Sequence, residues 1–543
     1  MNRARPELVV CGEVIVAATS TGLERAEAVG IAGGRVVAVG GRDELLDAAR
    51  PGAAVHDAGP AAVVPGLHDF HLHLAGLART RAGVTLDDAR DAAEIGERLR
   101  ARADGLPPGA WVTGRGWSEA QLRGGVEPLE AAVSGRHAYL SSHDGHSAWV
   151  SSPALRAAGI TAGTADPDGG RIGRNTHGEP TGVLRETAFD LVAPFVAHPQ
   201  GDALRAPLDA TLRELATLGI TGASEAGDYT DANGVGADAA MGDAYSSLTD
   251  LGDLVDGRLR LTLGIPVDAI SAAASRGLRT AMPLDHRHTV RFGWAKEYAD
   301  GALGSGTAAL FAPRSCGDGG TGILRVSPDG LDAIFAVGRA AGIGLAVHAI
   351  GDRAAAMVLD AVERAPTRVA GQLRDRMEHA QLLREADAGR MPRLGVVASI
   401  QPIHAAADRD LVESCWDGRQ DGAYAWRSLR TAGAHLAAGS DAPFESVNPW
   451  LGIFAAVHRR LPGDHRGDWR PGQALSIAEA LSAYTLGPAQ AIGADDEGHL
   501  RPGARADLAV LSVGLDTLLA ADERLAEVSS VLTLVDGREV PAS

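Results

Sequence analysis

Cysteine is scarce in this 543-residue chain: Cys11, Cys316 and Cys415 stand far apart, with no CxxC pair. The expectation is free thiols in a reducing compartment, with neither a disulfide framework nor a cysteine metal site. No apolar run reaches the roughly 18–20 residues of a membrane helix. The first apolar run, 8–11, is soon interrupted by Glu13 and Glu24, so a signal peptide is not expected and the cytoplasm is the expected location. A basic patch is missing as well. Lys+Arg number 51 against 69 Asp+Glu, a net charge of −18, which repels nucleic acid and anionic membranes. Gly is abundant, at 69 residues, but without the Gly-X-Y period of collagen. The 45% hydrophobic and 22% charged content is that of a folded protein.

Lysine is rarer than cysteine. Lys296 stands alone, and every other basic residue is arginine. Arg serves wherever a fixed positive charge suffices, whereas an amine that loses its proton and reacts must be Lys.

Residues 1–64 read as short strands at 8–11, 28–31, 36–39 and 54–57, separated by glycine turns. Residues 496–543 show more of the same, with strands at 506–512 and 530–534. Both ends are expected to build one β-sandwich. Between them, residues 65–495 repeat a short apolar strand followed by helical sequence. The strands fall at 66–73, 220–224, 258–263, 290–298, 344–348, 376–379, 396–399 and 434–439. Eight such units predict an α/β fold, a (β/α)8 TIM barrel, with its site at the C-terminal strand ends. The gap after the first strand is too long for one crossover and marks an insertion over about 76–215.

Candidate chemistry gathers at those strand ends. His71 and His73 are two residues apart, so on a strand they face the same side. His348, His379 and Asp441 end the fifth, sixth and eighth strands. Each alone reads as a buried histidine or a helix cap. Four imidazoles and a carboxylate at the strand ends of one barrel read as a site for a divalent ion such as Zn2+.

The order HxH, Lys, His, His, Asp on successive strands resembles the amidohydrolase superfamily. The strings His348-Ala349-Ile350-Gly351-Asp352-Arg353, Glu378-His379-Ala380-Gln381 and Gly439-Ser440-Asp441-Ala442-Pro443 resemble its amidohydrolase-3 (YtcJ-like) branch. So do Asp144-Gly145-His146-Ser147 and the Asp300-Gly301 that follows Lys296. The resemblance implies that His71, His73 and Asp441 hold a buried metal and that His348 and His379 hold a second. It implies that Lys296, carboxylated by CO2, bridges the two. Phe70 and Ser151-Ser152 depart from residues common in that branch, and neither touches an implied ligand.

One or two divalent ions, Zn2+ by expectation, would acidify water for attack on a carbonyl. Asp441 is the expected proton carrier, and His146 and His404 are candidate substrate contacts. The expected activity is hydrolysis of a C–N (non-peptide) bond in a small amide, N-substituted formamide or cyclic imide. The alternatives are ester or lactone hydrolysis at the same site, or a non-catalytic binding barrel. Expected partners are a small-molecule substrate and, in a homodimer, a second copy of the chain.

Overall fold

The structure, a computed structural model, describes residues 4–542 apart from 82, 107–108, 123–124, 134, 197–201, 228–250 and 318. Eight strands form the central sheet: β1 (Leu67–Leu72), β2 (Ile220–Glu225), β3 (Arg260–Pro266), β4 (Val290–Tyr298), β5 (Leu345–Ala349), β6 (Arg376–His379), β7 (Val397–Ile400) and β8 (His435–Ala438). Each pairs in parallel with the next. Every residue of β1, β2, β5, β6 and β7 is buried. A parallel sheet wrapped by helices hides both faces, so even the polar residues of these strands, such as Asp69 and His71 on β1 and Arg376 and Glu378 on β6, are buried.

The seam between β8 and β1 closes just past the strand ends. Asp441 N donates to His71 O at 2.7 Å, and His73 N donates to Ala442 O at 3.0 Å. Gly439 permits this approach, since a Cβ there would stand 2.2 Å from His71 N. The closed sheet is the (β/α)8 barrel the sequence predicts. The span of β4 matches the expected 290–298, while β3 starts two residues later than expected and runs three further.

Both termini meet in a seven-stranded sheet. Leu508–Gly514 lies antiparallel to Ala54–Pro65, which lies parallel to Leu8–Thr19. Val10, Val29, Val63, Leu508 and Val510 form its core. The strands run longer than the expected four-residue segments: Leu8–Thr19 continues past exposed Glu13 into a second buried stretch, 14–18, and Ala54–Pro65 adds buried residues 62–65 to an exposed first half.

The insertion has a six-stranded sheet of its own, running from Val84–Thr85 at one edge through Val112–Trp117, Ala138–Ser142, Ser147–Val150 and Pro180–Glu186 to Gly170–Arg174. Helix Ala92–Asp104, capped by Asp91, packs Ile95 and Leu99 with Trp117 and Leu140. The sheet therefore has a separate core and stands over the barrel mouth rather than extending it. Among the described residues no helix is long and apolar enough to cross a membrane.

The cysteine expectation is corrected. Cys316 and Cys415 form a disulfide, and only Cys11 is a buried free thiol. The pair is 99 residues apart in sequence. Only the folding of the loop after β4 against helix Arg409–Cys415 brings them together, so local spacing gave no sign of it. Cysteine usage therefore no longer argues for a reducing compartment.

Candidate metal centre

β1 carries His71, and His73 follows just past the strand as the cap of helix Leu74–Thr80, with ring centroids 5.4 Å apart. Glu378, on β6, orients His71: the carboxylate accepts from His71 Nδ1 and is held in turn by Arg376. The Arg376 guanidinium lies 3.8 Å from the centre of the Phe70 ring, so the departure at Phe70 serves the layer beneath the site. With Nδ1 committed to Glu378, His71 Nε2 faces inward, 3.2 Å from Asp441 Oδ1 and 3.5 Å from Lys296 Nζ. His73 Nε2 lies 3.0 Å from the same Asp441 oxygen. His379 Nδ1 lies 3.9 Å from Asp441 Oδ2.

Three of these strand-end residues have unusual backbone: His379, Ala380 and Asp441 take positive φ angles of 70°, 45° and 63°. Left-handed non-glycine residues persist where the surroundings over-determine them, and they cluster at functional sites. His348 sits against His379, with ring centroids 4.5 Å apart. Its Nε2 donates to Gly301 O at 3.1 Å. Asp300, fully buried, accepts from Ile350 N, Gly351 N and Ala309 N and so fixes the turn that follows His348. Burial pushes the Asp300 carboxyl up to about 7.

Burial also drives the imidazoles of His348 and His379 well below their ordinary range, leaving neutral rings with nitrogen lone pairs. Burial raises Asp441, but the charge of His71 and the bonds from His404, His71 and His73 outweigh it and hold the carboxylate well below its usual range. His404 shows the converse balance. Burial lowers it, yet Asp441 and Glu445 together lift it well above an ordinary histidine.

This donor set fits a divalent cation. His71, His379 and Asp441 each offer a ligand atom, all within 4.8 Å of one another. Among the described residues, buried His379 Nδ1 has no hydrogen-bond partner. A buried nitrogen lone pair without a donor is costly in an apo arrangement and satisfied by a metal. His73 reaches the group through Asp441, while His348 stands at its edge beside His379.

Above the cluster opens a cavity of about 1080 Å3, walled by the barrel mouth on one side and the insertion on the other. His146 and His143 line it from the insertion, His404 from helix Pro402–Ala407, and Trp117, Tyr139 and Phe444 give it apolar walls. His146 Nδ1 lies 3.0 Å from Glu186 Oε2. Burial disfavours both charges, but their attraction raises His146 and lowers Glu186.

A buried histidine–carboxylate cluster at the C-terminal mouth of a barrel agrees with what comparison shows. A sequence profile described as the amidohydrolase family matches residues 54–541. The chain belongs to the amidohydrolase family. The YtcJ protein of Bacillus subtilis is 29% identical over 541 residues, covering 95% of this chain and 96% of its own. The N-substituted formamide deformylase of Arthrobacter pascens is 29% identical over 540 residues, covering 94% of each. A metal-dependent hydrolase from Pyrococcus horikoshii shares the fold, with a TM-score of 0.73 at 24% identity over 95% of this chain and 99% of that one.

In this amidohydrolase the structure brings His71, His73, Lys296, His379 and Asp441 together, with His348 next to them and His404 and His146 on the cavity wall. Several residues were missed by sequence reasoning. Glu378 adjoins His379 and Asp300 follows Lys296 closely, so both lay within strings already singled out. Glu186 and Glu445 lie in no such string, and only the fold places them.

Proposed function

We propose that this amidohydrolase cleaves the C–N (non-peptide) bond of a small amide, an N-substituted formamide or a cyclic imide. One observation carries the reading: the strand-end histidines, Asp441 and the chain's single lysine converge in a buried cluster beneath a cavity large enough for a small organic substrate. The relative named for formamide deformylation, which spans nearly the whole chain, supports the choice of an amide over an ester.

His71, His73 and Asp441 would hold one ion and His348 and His379 a second, with Zn2+ the ion proposed. Lys296 would link them as a carbamate. Its neutral Nζ adds to the carbon of CO2 and gives up one proton, which a guanidinium cannot do. A divalent ion there supplies Lewis acidity, polarising the scissile carbonyl and acidifying water.

The chain's own groups do the rest. Asp441 takes the proton of the attacking water and delivers it to the leaving nitrogen, so that the amine departs neutral. Glu378 keeps His71 in one orientation through the cycle. His404, bonded to Asp441 Oδ2 at 2.9 Å, and His146 bound the space in which the substrate carbonyl must sit.

Elemental analysis and a substrate panel test the reading on the full chain. The expected result is one or two divalent ions per chain, turnover of N-formyl amines or amides, loss on chelation and recovery with Zn2+. Turnover of lactones alone would replace the amide reading, and active protein without metal would overturn the mechanism.

A further inference from the structure

His146 reaches the cavity from the insertion, in the turn between Ala138–Ser142 and Ser147–Val150. Its ring centroid is 5.1 Å from that of His348. What holds it there is Glu186, at the end of strand Pro180–Glu186. Glu186 is fully buried, and its backbone N donates to His146 O at 3.1 Å while its Oε2 lies 3.0 Å from His146 Nδ1. The barrel grips the same carboxylate from the other side. Thr307 Oγ1 donates to Oε1 at 2.6 Å, and Arg325 Nη1 lies 3.4 Å from Oε2. Both residues belong to the loop after β4.

Two further features show that the fold accommodates this carboxylate at a cost. Glu186 has a φ of 49°, in the left-handed region that non-glycine residues avoid. Gly301 makes room for it, since a Cβ there would stand 2.2 Å from Glu186 Oε1. The carbonyl of this same Gly301 accepts from His348 Nε2. One glycine thus packs against the Glu186 carboxylate and anchors a strand-end histidine.

We propose that Glu186 is a positioning residue for the hydrolysis: by binding Nδ1 of His146 it fixes the ring so that Nε2 faces the scissile group across from the metal cluster. The inference rests on the hydrolase reading above and assigns it a residue outside the strand-end cluster. The logic is that of any imidazole whose one nitrogen is held by a buried carboxylate so that the other is presented to substrate. The insertion is then part of the active site, with Glu186 the point where it locks to the barrel loop.

The test is a double-mutant cycle on the metal-loaded full chain, using the best substrate of the panel and following kcat and KM separately. Glu186→Gln is expected to lower kcat about 10–100-fold with KM within about threefold and metal content unchanged. His146→Ala should fall by a similar factor, and the double variant should be no slower than His146→Ala alone. Where Glu186→Gln does not fold, Thr307→Val loosens the same carboxylate, and its smaller loss should vanish in the His146→Ala background. Full turnover in a folded Glu186→Gln protein overturns the inference alone. So does a double variant slower than His146→Ala by the whole Glu186→Gln factor, because the effect would then be general destabilisation. No turnover by wild type anywhere on the panel overturns the hydrolase reading and this inference with it.

Discussion

His404 Nε2 lies 2.9 Å from Asp441 Oδ2, while the other oxygen of that carboxylate lies 3.0 Å from His73 Nε2. Asp441 is therefore held between a histidine of the cluster and one of the cavity wall. Beyond His404 the pattern continues outward. Glu445 Oε1 is 3.6 Å from His404 Nδ1 and 3.8 Å from His143 Nε2, and His143 Nδ1 is 2.8 Å from Asp87. Carboxylates and imidazoles alternate from the buried centre to a half-exposed histidine.

Asp441→Asn should retain most of the metal and lose most of the turnover. The amide oxygen can still ligate but cannot accept a proton. General acid–base assistance is worth about 10²–10⁴-fold, so kcat should fall by that order. Steady-state kinetics with metal analysis on the same sample checks both halves.

Lys296→Ala and Lys296→Arg should both lose activity, since neither forms a carbamate. The Ala variant leaves space at the cluster, and millimolar acetate or propionate should restore part of its rate. The Arg variant fills that space and should not respond. Near-normal turnover in Lys296→Arg would mean that a positive charge, not a carbamate, is what the position requires.

The bonds to Asp87 and Glu445 raise His143 from 6.5 to about 9. A histidine whose folded pKa lies above its unfolded one stabilises the fold fully below about pH 6.5 and loses that contribution as pH rises through 9. The Tm advantage of wild type over His143→Gln should therefore shrink between pH 6.5 and 9. With its side chain 46% exposed, screening keeps the effect small.

The Cys316–Cys415 bridge ties the loop after β4 to helix Arg409–Cys415, and Ser315 N donates to Cys415 O beside it. A reductant should lower the Tm of wild type but leave Cys316→Ser unmoved. A native bridge of this kind contributes about 2–4 kcal/mol, chiefly by constraining the unfolded chain.

Deleting residues from Gly498 onward removes strands Leu508–Gly514 and Ser530–Val535 and exposes the edge of Ala54–Pro65. An uncovered edge beside Val63 and Val64 should drive aggregation, visible by light scattering. A soluble, active truncation would show that the barrel does not depend on the shared sheet.

The amino-acid sequence by itself determined the barrel and its candidate ligands. Strands such as β5 and β7 stand out as short, fully buried apolar stretches, and HxH, the single lysine and the strand-end His and Asp are local signals at or just past strand ends. Only the tertiary structure decided which partners these residues have. Glu378 meets His71 across 307 positions, Glu186 meets His146 across 40, and Cys316 meets Cys415 across 99. A lone carboxylate or thiol carries no periodicity, and its partner is chosen when barrel closure and the docking of the insertion bring distant strand ends and loops to one mouth.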